Sequence, residues 1–461
     1  MIKITQSQLD RPKIDRVYED FIATKVVTDL KRFFGKQTNY TTHISPNVRH
    51  AFYTAVSFLS AHSLDSRHYD DDTLKANVMK YLLGGDKHPQ QYLEGIIRSF
   101  WRCAADLFVD RLNTATSGSS LPYLDDLAVE ALSKWPAFKE KVRSQRKQAE
   151  RHTLLLSVLN QNTIRLFSNV TNADIYEWSL GIREITNDEI EAIILHPDLA
   201  ETVYGRIDSE NKPVKDHPGA LRMLETVFNY NDTNRELVAG TPRHQLMSAI
   251  HVPVCPYCNR QYITLYSEQK GKKKKSTKKT TADLDHFYIK SQYPYLSLSL
   301  FNFIPSCQIC NSRFKGTTDF YLYPHVYPYE AEFGDGAKFA LKLDASLMDD
   351  KANWDRMIEL SDGSGNDAVR NSISTFMLEQ VYQSHGDYVH DIWAKSKAYS
   401  KEKIDSLKEE YGDLLGDNRS IMDLIYGQYL NQSQMYLRPL SKLTKDILEE
   451  CYDGEIDWEN L

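Results

Sequence analysis

Hydrophobic residues recur at helical spacing along the first half of the chain. In residues 45–61, SPNVRHAFYTAVSFLSA, a serine stands at the expected N-cap, a proline lies in the first turn, and apolar residues then return every three or four positions. Residues 92–112, YLEGIIRSFWRCAADLFVDRL, repeat this pattern. Such stripes are typical of helices that bury one face in a core. We predict a helical region over residues 1–240, without a catalytic constellation, that docks a partner or regulates the rest.

The pattern changes near Pro242. Cysteines, tyrosines, prolines and β-prone segments such as QYITLY then follow one another, and we predict a separate domain over residues 241–335. Beyond it, Phe339, Leu341 and Leu343 alternate as in a strand, and RMIELSDGSG offers a partner strand. The third region, residues 336–461, is therefore expected to begin with a short β-hairpin.

A second helical stretch is predicted after the glycine-rich segment SDGSGN. Its apolar residues at helical spacing are Ile373, Phe376, Met377, Val381, Tyr388 and Ile392. The last thirteen residues hold six acidic residues and no basic one, which predicts a solvated acidic tail. The fold class predicted from these patterns is mainly α, with a small central α+β module.

Composition places the chain among globular proteins. It has 461 residues, of which 41% are hydrophobic and 26% charged. No apolar run approaches the ~18 residues of a membrane span, and the first twenty residues lack the apolar segment of a secretory signal. Four of the six cysteines form two CxxC pairs, a usage typical of metal sites in a reducing compartment. We therefore expect a cytoplasmic protein with no membrane contact.

The charge of the chain is unevenly distributed. The formal net charge is -7, yet residues 255–316 hold eleven Lys and Arg against three Asp and Glu. This local charge of +8 leaves about -15 on the remainder of the chain. A basic segment in an acidic protein indicates where a polyanion docks. Its most basic part, KGKKKKSTKK, is too polar to fold by itself.

Two CxxC pairs, separated by 48 residues, provide a candidate metal site. Zinc prefers four soft ligands in a tetrahedron, and Cys255, Cys258, Cys307 and Cys310 supply them. We predict a closed structural zinc site with no vacancy for substrate. The alternative is four reduced cysteines packed as small hydrophobic side chains.

The segment between the two cysteine pairs carries residues suited to hydrolysis. DLDHFYIKS places Asp283, Asp285 and His286 at the expected end of a short strand, and Asn302 and Asn311 follow later. Carboxylates suit the hard cations Mg²⁺ and Mn²⁺, and neutral imidazole is the natural general base near pH 7. This combination indicates metal-assisted hydrolysis of a phosphodiester. Three other histidines, His325, His385 and His390, are interpreted as structural.

Three segments of this region match a known motif in order: CPYCNR, DLDHFYIKS and SLFNFIPSCQICNSRFKG. Together they resemble the HNH endonuclease motif, the ββα-metal (His-Me) finger in its zinc-stapled form. The resemblance implies that Asp285 binds the catalytic metal and that His286 is the general base. Asn302 would hydrogen-bond within the finger and keep His286 oriented, and Asn311 would be the second metal ligand. The family often has histidine at this last position, so the chain carries an HNN version. Asp283 and Lys315 also occupy motif positions.

The resemblance also implies the mechanism. One Mg²⁺ or Mn²⁺ would neutralise charge at the scissile phosphate while His286 takes a proton from water, leaving 5′ phosphate and 3′ hydroxyl ends. Basic residues would hold the nucleic-acid backbone by charge. They are Arg260, Lys272, Lys273, Lys274, Lys275, Lys278, Lys279, Lys290, Arg313 and Lys315. The alternative for the lysine run is a solubilising hairpin loop.

A wider resemblance depends on the segments CPYCNRQYI, YPYEAEFGDGAKF and RPLSKLTKDI. They resemble the bacterial HNH proteins of Septu-type anti-phage systems, in which a nuclease works with a separate ATPase. This implies an ATPase partner, a hetero-oligomer and a DNA substrate. The chain has no GxxxxGK[ST] loop of its own, because GKKKKST lacks the upstream glycine and the spacing.

Three alternatives stay open from the sequence. An RNA-cleaving nuclease would use the same phosphodiester chemistry, and DNA is favoured over RNA only by analogy with the family. A stand-alone restriction-type enzyme would cut without an ATPase. A zinc-dependent nucleic-acid-binding module without catalysis would need the cysteines but not His286.

Overall fold

A computed structural model gives the fold for part of the chain. The residues that it describes are 1–35, 71–97, 205–207, 213–218, 225, 227–230, 242–270, 275–342, 351–363 and 365–453. The helix predicted over residues 45–61 lies outside them. The one predicted over residues 92–112 is described as far as residue 97, and residues 89–97 are helical.

The N-terminal residues form consecutive helices. Helix α1, Arg11–Val17, begins after Asp10, whose carboxylate accepts a hydrogen bond from the backbone N–H of Lys13 (3.2 Å) and caps the helix. A π-helical turn, Tyr18–Ile22, leads directly into α2, Ala23–Gly35. Helix α3, Asp71–Leu83, packs against α2.

These helices share one hydrophobic core with the cysteine-rich region. The hydroxyl of Tyr18 donates to the carbonyl oxygen of Leu298 (3.0 Å), and the hydroxyl of Tyr81 donates to that of Tyr295 (2.8 Å). Buried apolar residues form a continuous cluster from the N-terminal segment through the central region to the C-terminal helices. The described part of residues 1–240 therefore supports the central region directly.

A short hairpin interrupts the region that was predicted to be helical. Strand β1, Gly205–Ile207, pairs with β2, Pro213–Pro218, in an antiparallel sheet. Neither strand carries the apolar alternation that usually marks a strand, so this hairpin was not predictable from the residue pattern. Helix α4, Pro242–Ile250, then packs against α1 just before the first cysteine pair.

Two antiparallel hairpins follow one another in the central region. Strand β3, Leu265–Lys270, pairs with β4, Lys275–Thr280, so the strand includes only the last two residues of QYITLY. After Thr281 the chain continues as β5, Ala282–His286, which pairs with β6, Phe303–Cys307. The chain over residues 275–286 is therefore extended and takes part in two hairpins.

A π-helical segment, Ile309–Lys315, follows β6 directly. It is wider than an α-helix, because its hydrogen bonds join residues five positions apart. One example runs from the N–H of Gly316 to the carbonyl of Asn311 (3.0 Å). Such segments are rare and occur frequently at functional sites.

The predicted C-terminal hairpin is confirmed. Strand β7, Ala337–Leu341, pairs with β8, Ile358–Asp362, in a register that places Phe339 opposite Leu360. Burial alternates along β7, as the sequence pattern indicated, because one face lies on the core.

The second helical stretch is confirmed as well. Its helices are α5 Asp367–Thr375, α6 Leu378–Gln383, α7 Gly386–Ala398, α8 Lys401–Leu415, α9 Asn418–Tyr426 and α10 Ser441–Cys451. Helix α10 packs on β7, where the buried carboxylate of Asp446 accepts a hydrogen bond from the backbone N–H of Phe339 (3.0 Å) and pairs with Lys442 (2.6 Å). The acidic tail beyond residue 453 lies outside the described residues.

The part of the chain that the structure describes is thus mainly helical, with small antiparallel sheets, as predicted. Within that part, no helix combines the length and the apolar character needed to cross a bilayer.

Gly386 allows a close approach of two backbones at the start of α7. A Cβ atom there would lie 2.1 Å from the carbonyl oxygen of Trp354, a distance that no packing tolerates. We expect Gly386→Ala to lower the free energy of unfolding by about 1–3 kcal/mol or more, measured by urea denaturation. The matched control is Gly412→Ala, whose Cβ would meet only Lys408 at 3.8 Å. Equal effects of the two substitutions would contradict the predicted steric cause.

Candidate functional site

The four cysteines of the two CxxC pairs converge. All are buried, and their Sγ atoms lie within 4.8 Å of one another. The first pair lies in a turn closed by a hydrogen bond from the N–H of Asn259 to the carbonyl of Cys255 (2.8 Å). The second pair spans the end of β6 and the start of the π-helical segment, where the N–H of Cys310 donates to the Sγ of Cys307 (3.5 Å). The four cysteines are therefore close enough to bind one metal ion.

Electrostatics favours a cation between these sulfur atoms. Burial raises the pKa of the Cys255 thiol well above its usual value. Hydrogen bonds from Cys255, Cys258 and Cys310 lower the pKa of Cys307. Without a cation, such a buried cluster therefore cannot hold four thiolates at once, because their charges repel one another in a poorly solvated site. Four thiolates are the donor set that zinc prefers in structural sites.

His286 lies at the end of β5 with its ring fixed on several sides. Its Nε2 is 2.9 Å from the carbonyl oxygen of Ser297. A carbonyl oxygen only accepts hydrogen bonds, so Nε2 carries the proton and Nδ1 keeps a lone pair. The rings of Tyr230 and Phe303 meet the imidazole edge-on, with centroids at 4.5 Å and 5.2 Å. Burial lowers the pKa of His286 to about 3, opposed by the bond to Ser297, and the ring is neutral near pH 7.

Asp285, the residue before His286, has partners for both carboxylate oxygens. The hydroxyl of Tyr257 donates to Oδ2 (2.6 Å), and the ammonium of Lys315 donates to Oδ1 (2.8 Å). Lys315 also contacts the carbonyl oxygen of His286. Both members of the ion pair are buried, and breaking such a pair is costly because it leaves an isolated charge in the core. The ion pair therefore ties β5 to the end of the π-helical segment.

Asn311 contacts Asp283, the residue two positions before Asp285. Its side-chain Nδ2 donates to Oδ2 of Asp283 (3.0 Å), and both residues are partly exposed. Asp283 and Asp285 are two positions apart on β5 and so share one face of the strand. The structure thus joins Asn311 to a motif residue that the resemblance did not count among the metal ligands. The amide oxygen of Asn311 is a hard donor of the kind that Mg²⁺ and Mn²⁺ prefer.

Asn302 joins the two ends of the loop between β5 and β6. Its Oδ1 accepts from the N–H of Tyr288 (2.8 Å), and its Nδ2 donates to the carbonyls of Tyr288 (3.0 Å) and Leu296 (3.1 Å). Ser297, which binds His286, follows Leu296 directly. The hydrogen bonds of Asn302 therefore fix the loop that holds the imidazole.

The basic residues predicted to contact nucleic acid lie in different environments. Arg313 is exposed, and Lys290 lies over the ring of Tyr230, 4.6 Å from its centroid. Lys279, on β4, forms an exposed ion pair with Glu268 on β3. Lys272, Lys273 and Lys274 lie outside the described residues, and Lys275 and Lys278 belong to β4.

Two of the predicted phosphate contacts are engaged elsewhere in the structure. Lys315 is buried against Asp285, so its charge already has a partner inside the protein. Arg260 donates from Nε to Nε2 of His385 (3.0 Å) and from Nη2 to the hydroxyl of Ser384 (3.3 Å), at the junction of α6 and α7. Their positive charge was visible in the sequence, but not the acceptors that the fold brings to them.

The remaining histidines lie in packed surroundings, as expected of structural residues. The ring of His325 stacks on Phe320 with centroids 3.7 Å apart, and that of His390 stacks on Trp354 at 3.8 Å. Two tyrosines of the site were missed from the sequence. Tyr257 stands between the cysteines of the first pair, and Tyr230 belongs to a region that offered no signal for a site.

Comparisons with family models, with curated proteins and with solved structures each found no match for this chain. A functional assignment therefore depends on the chain's own residues and on the motif that they resemble.

We expect the purified protein to contain about one zinc per chain and the variant Cys307→Ser to lose it, because three thiolates hold the ion less tightly than four. Metal analysis by plasma mass spectrometry measures the zinc. Residues 245–335 of the variant should become sensitive to protease. Cys451→Ser, outside the cluster, is the matched control and should keep its zinc. A zinc-free Cys307→Ser protein with a protease-resistant central region would contradict the structural role of the metal.

The hydroxyl of Tyr257 should contribute to stability. We expect Tyr257→Phe to lower the free energy of unfolding by about 1.5–3 kcal/mol, the usual contribution of a hydrogen bond to a charged group. Tyr323→Phe is the control, because Tyr323 is an exposed tyrosine. Urea denaturation of the two variants beside the wild type gives the comparison. A loss below about 0.5 kcal/mol for Tyr257→Phe would show that the carboxylate of Asp285 finds another donor.

Proposed function

We propose that this chain is a metal-dependent HNH endonuclease that hydrolyses phosphodiester bonds in nucleic acid, with His286 as general base. One observation carries the proposal. His286 holds its proton on Nε2 against the carbonyl of Ser297, so Nδ1 is the nitrogen left to accept a proton. His286 follows Asp285 directly and lies in the sequence between the two cysteine pairs, whose sulfur atoms converge.

In this proposal, β5, β6 and the π-helical segment form the ββα-metal finger. The four cysteines hold a structural zinc that joins the turn before β3 to the end of β6. The order of elements supports this assignment. Strand β5 ends in Asp285 and His286 and pairs with β6 in an antiparallel hairpin, and a helical segment carrying Asn311 follows β6.

The catalytic ion of this proposal would be Mg²⁺ or Mn²⁺, held by Asp285 and Asn311. The donor set fits such an ion, because both residues offer the hard oxygen atoms that these cations prefer. A carboxylate oxygen has more than one acceptor site, so Asp285 keeps capacity beside Tyr257 and Lys315. When bound, the ion would supply positive charge to the scissile phosphate.

The chain's own residues would then divide the work as follows. Nδ1 of His286 takes the proton from the attacking water, and the carbonyl of Ser297 stabilises the positive ring that forms. Asn302 is a positioning residue, because it fixes the loop that carries Ser297. Lys315 neutralises Asp285 and binds the carbonyl of His286, which holds the two neighbouring residues in place.

We further propose that the nuclease belongs to a bacterial anti-phage system and works with a separate ATPase on DNA. The support is the Septu-like resemblance of three segments, the local charge of +8 over residues 255–316, and a sequence without a P-loop. The preference for DNA over RNA rests on family analogy.

A second function is favoured by the partners that the carboxylate of Asp285 already has inside the protein. Because Tyr257 and Lys315 each bind one of its oxygens, the cluster also suits a purely structural network in a zinc-dependent nucleic-acid-binding module. In that case, replacement of His286 would leave the activity of the protein unchanged.

The deciding experiment measures cleavage of plasmid DNA and of total RNA with Mg²⁺ or Mn²⁺, with and without the product of a neighbouring ATPase gene. We expect His286→Ala to slow cleavage at least about 100-fold, the lower end of what a general base contributes. The control is His88→Ala, because His88 is an exposed histidine outside the residues of the site. Equal cleavage by the two variants would exclude His286 as the base. Binding without cleavage by the wild type under all conditions would favour the binding module.

A further inference from the structure

Two exposed tyrosines lie on the extended chain that leads into β3. The side chain of Tyr262 is 57% exposed and that of Tyr266 is 44% exposed. Between them, Ile263 is buried, Thr264 is exposed and Leu265 is partly buried. This alternation is that of an extended segment with one solvated face. Tyr262, Thr264 and Tyr266 therefore share that face.

The same face continues across the neighbouring strand. Tyr266 is directly opposite Lys279 in the β3–β4 register, and residues opposite one another in antiparallel strands lie on one face. Thr264 and Thr281 are joined by two hydrogen bonds. The N–H of Thr264 donates to Oγ1 of Thr281 (2.7 Å), and the N–H of Thr281 donates to the carbonyl of Thr264 (2.9 Å). The tyrosines are thus connected by backbone pairing to the strand that ends in the candidate site.

Along that strand, the alternate positions lead from the tyrosines to the acidic cluster. Lys279 is partly exposed, Thr281 is exposed and Asp283 is partly exposed, whereas Ala282 and Leu284 between and beyond them are buried. Asp283 then contacts Asn311. We call this face, from Tyr262 and Tyr266 to Asp283, the tyrosine track.

The length of the tyrosine track matches a short stretch of nucleic acid. Four residues of strand, from Lys279 to Asp283, span ~13 Å at ~3.3 Å per residue. One strand of nucleic acid rises ~3.4 Å per stacked nucleotide, so this distance corresponds to about four nucleotides. A strand with its scissile phosphate at the proposed ion of Asp285 and Asn311, which contacts Asp283, would bring its bases to Tyr266 within that number of steps.

The charge of the sequence that follows Tyr266 indicates the occupant. Residues 270–279 contain seven lysines, in a protein whose net charge is -7. A polyanion complements this segment. Exposed aromatic rings beside a basic segment are the arrangement with which proteins bind single-stranded nucleic acid, because the face of every base stacks on a ring. In a duplex, those base faces are covered by the neighbouring base pairs.

We propose that Tyr262 and Tyr266 stack on unpaired bases, so that the substrate class of this site is single-stranded nucleic acid or a single-stranded segment next to a duplex. The proposal deepens the nuclease function above and rests on it, because the bound strand is a substrate only if this chain is a nuclease. The binding that it requires is measurable without cleavage. The lysines hold the backbone by charge, and the tyrosines distinguish an unpaired strand from a paired one.

The test measures binding in the His286→Ala background, in which cleavage is removed. The probes are single-stranded DNA and single-stranded RNA of one sequence with 2-aminopurine, a base whose fluorescence is quenched by stacking, and the DNA duplex of the same sequence. The variants are Tyr262→Ala with Tyr266→Ala, and the ring-preserving pair Tyr262→Phe with Tyr266→Phe. Tyr323→Ala, a tyrosine 53% exposed elsewhere, is the matched control.

We expect the double alanine variant to bind single strands roughly tenfold or more weakly and to lose the quenching. The double phenylalanine variant and Tyr323→Ala should bind like the parent, and duplex affinity should stay unchanged. Unchanged binding of single strands by the double alanine variant would overturn the proposal, and so would an equal loss for single strand and duplex. The DNA and RNA probes show which sugar the track accepts.

Cleavage by proteins with intact His286 separates this proposal from the nuclease function. If the wild type cuts duplex and single strand equally and the tyrosine variants do not change the rates, the tyrosine track is wrong and the nuclease stands. If single-strand binding depends on both tyrosines but nothing is cut, the track stands and the nuclease function is wrong.

Discussion

Convergence of four buried sulfur atoms fixes the positions of two chain segments that are 48 residues apart in the sequence. The candidate site depends on this constraint from both sides. Tyr257, between the first two cysteines, reaches Asp285, and the π-helical segment after the second pair carries Asn311 and Lys315 to the same strand. A cation at the sulfur atoms would hold all of these contacts together, because it neutralises the thiolates that burial otherwise disfavours.

The buried polar groups of the candidate site have hydrogen-bond or ion-pair partners, and these partners make their burial possible. Asp285 is neutralised by Lys315 and hydrogen-bonded by Tyr257. His286 is kept neutral by burial, and its Nε2 donates to the carbonyl of Ser297. A satisfied polar network in a core specifies one arrangement of its members, because every alternative leaves a buried group without a partner. The same property that stabilises the network also fixes the ring of the proposed base before any substrate arrives.

Much of this organisation was predictable from the sequence, and the exceptions share a physical cause. The cysteine cluster follows from ligand chemistry, and the hairpin around Phe339 follows from strict alternation of apolar residues. The pairing of Asn311 with Asp283 and of Arg260 with His385 does not follow, because sequence spacing defines residue types and their order but not which partner the tertiary fold brings within hydrogen-bonding distance. The short strands within residues 205–218 lack apolar alternation, so no sequence pattern predicted them.

The most direct measurement is anomalous X-ray scattering at the zinc and manganese edges from crystals of the His286→Ala protein grown with Mn²⁺ and an uncleaved single-stranded oligonucleotide. We expect a zinc peak between the four Sγ atoms and a manganese peak at Asp285 and Asn311, beside a phosphate of the bound strand. Manganese elsewhere, with the Lys315 to Asp285 ion pair intact and no phosphate near position 286, would contradict metal-assisted hydrolysis at this site.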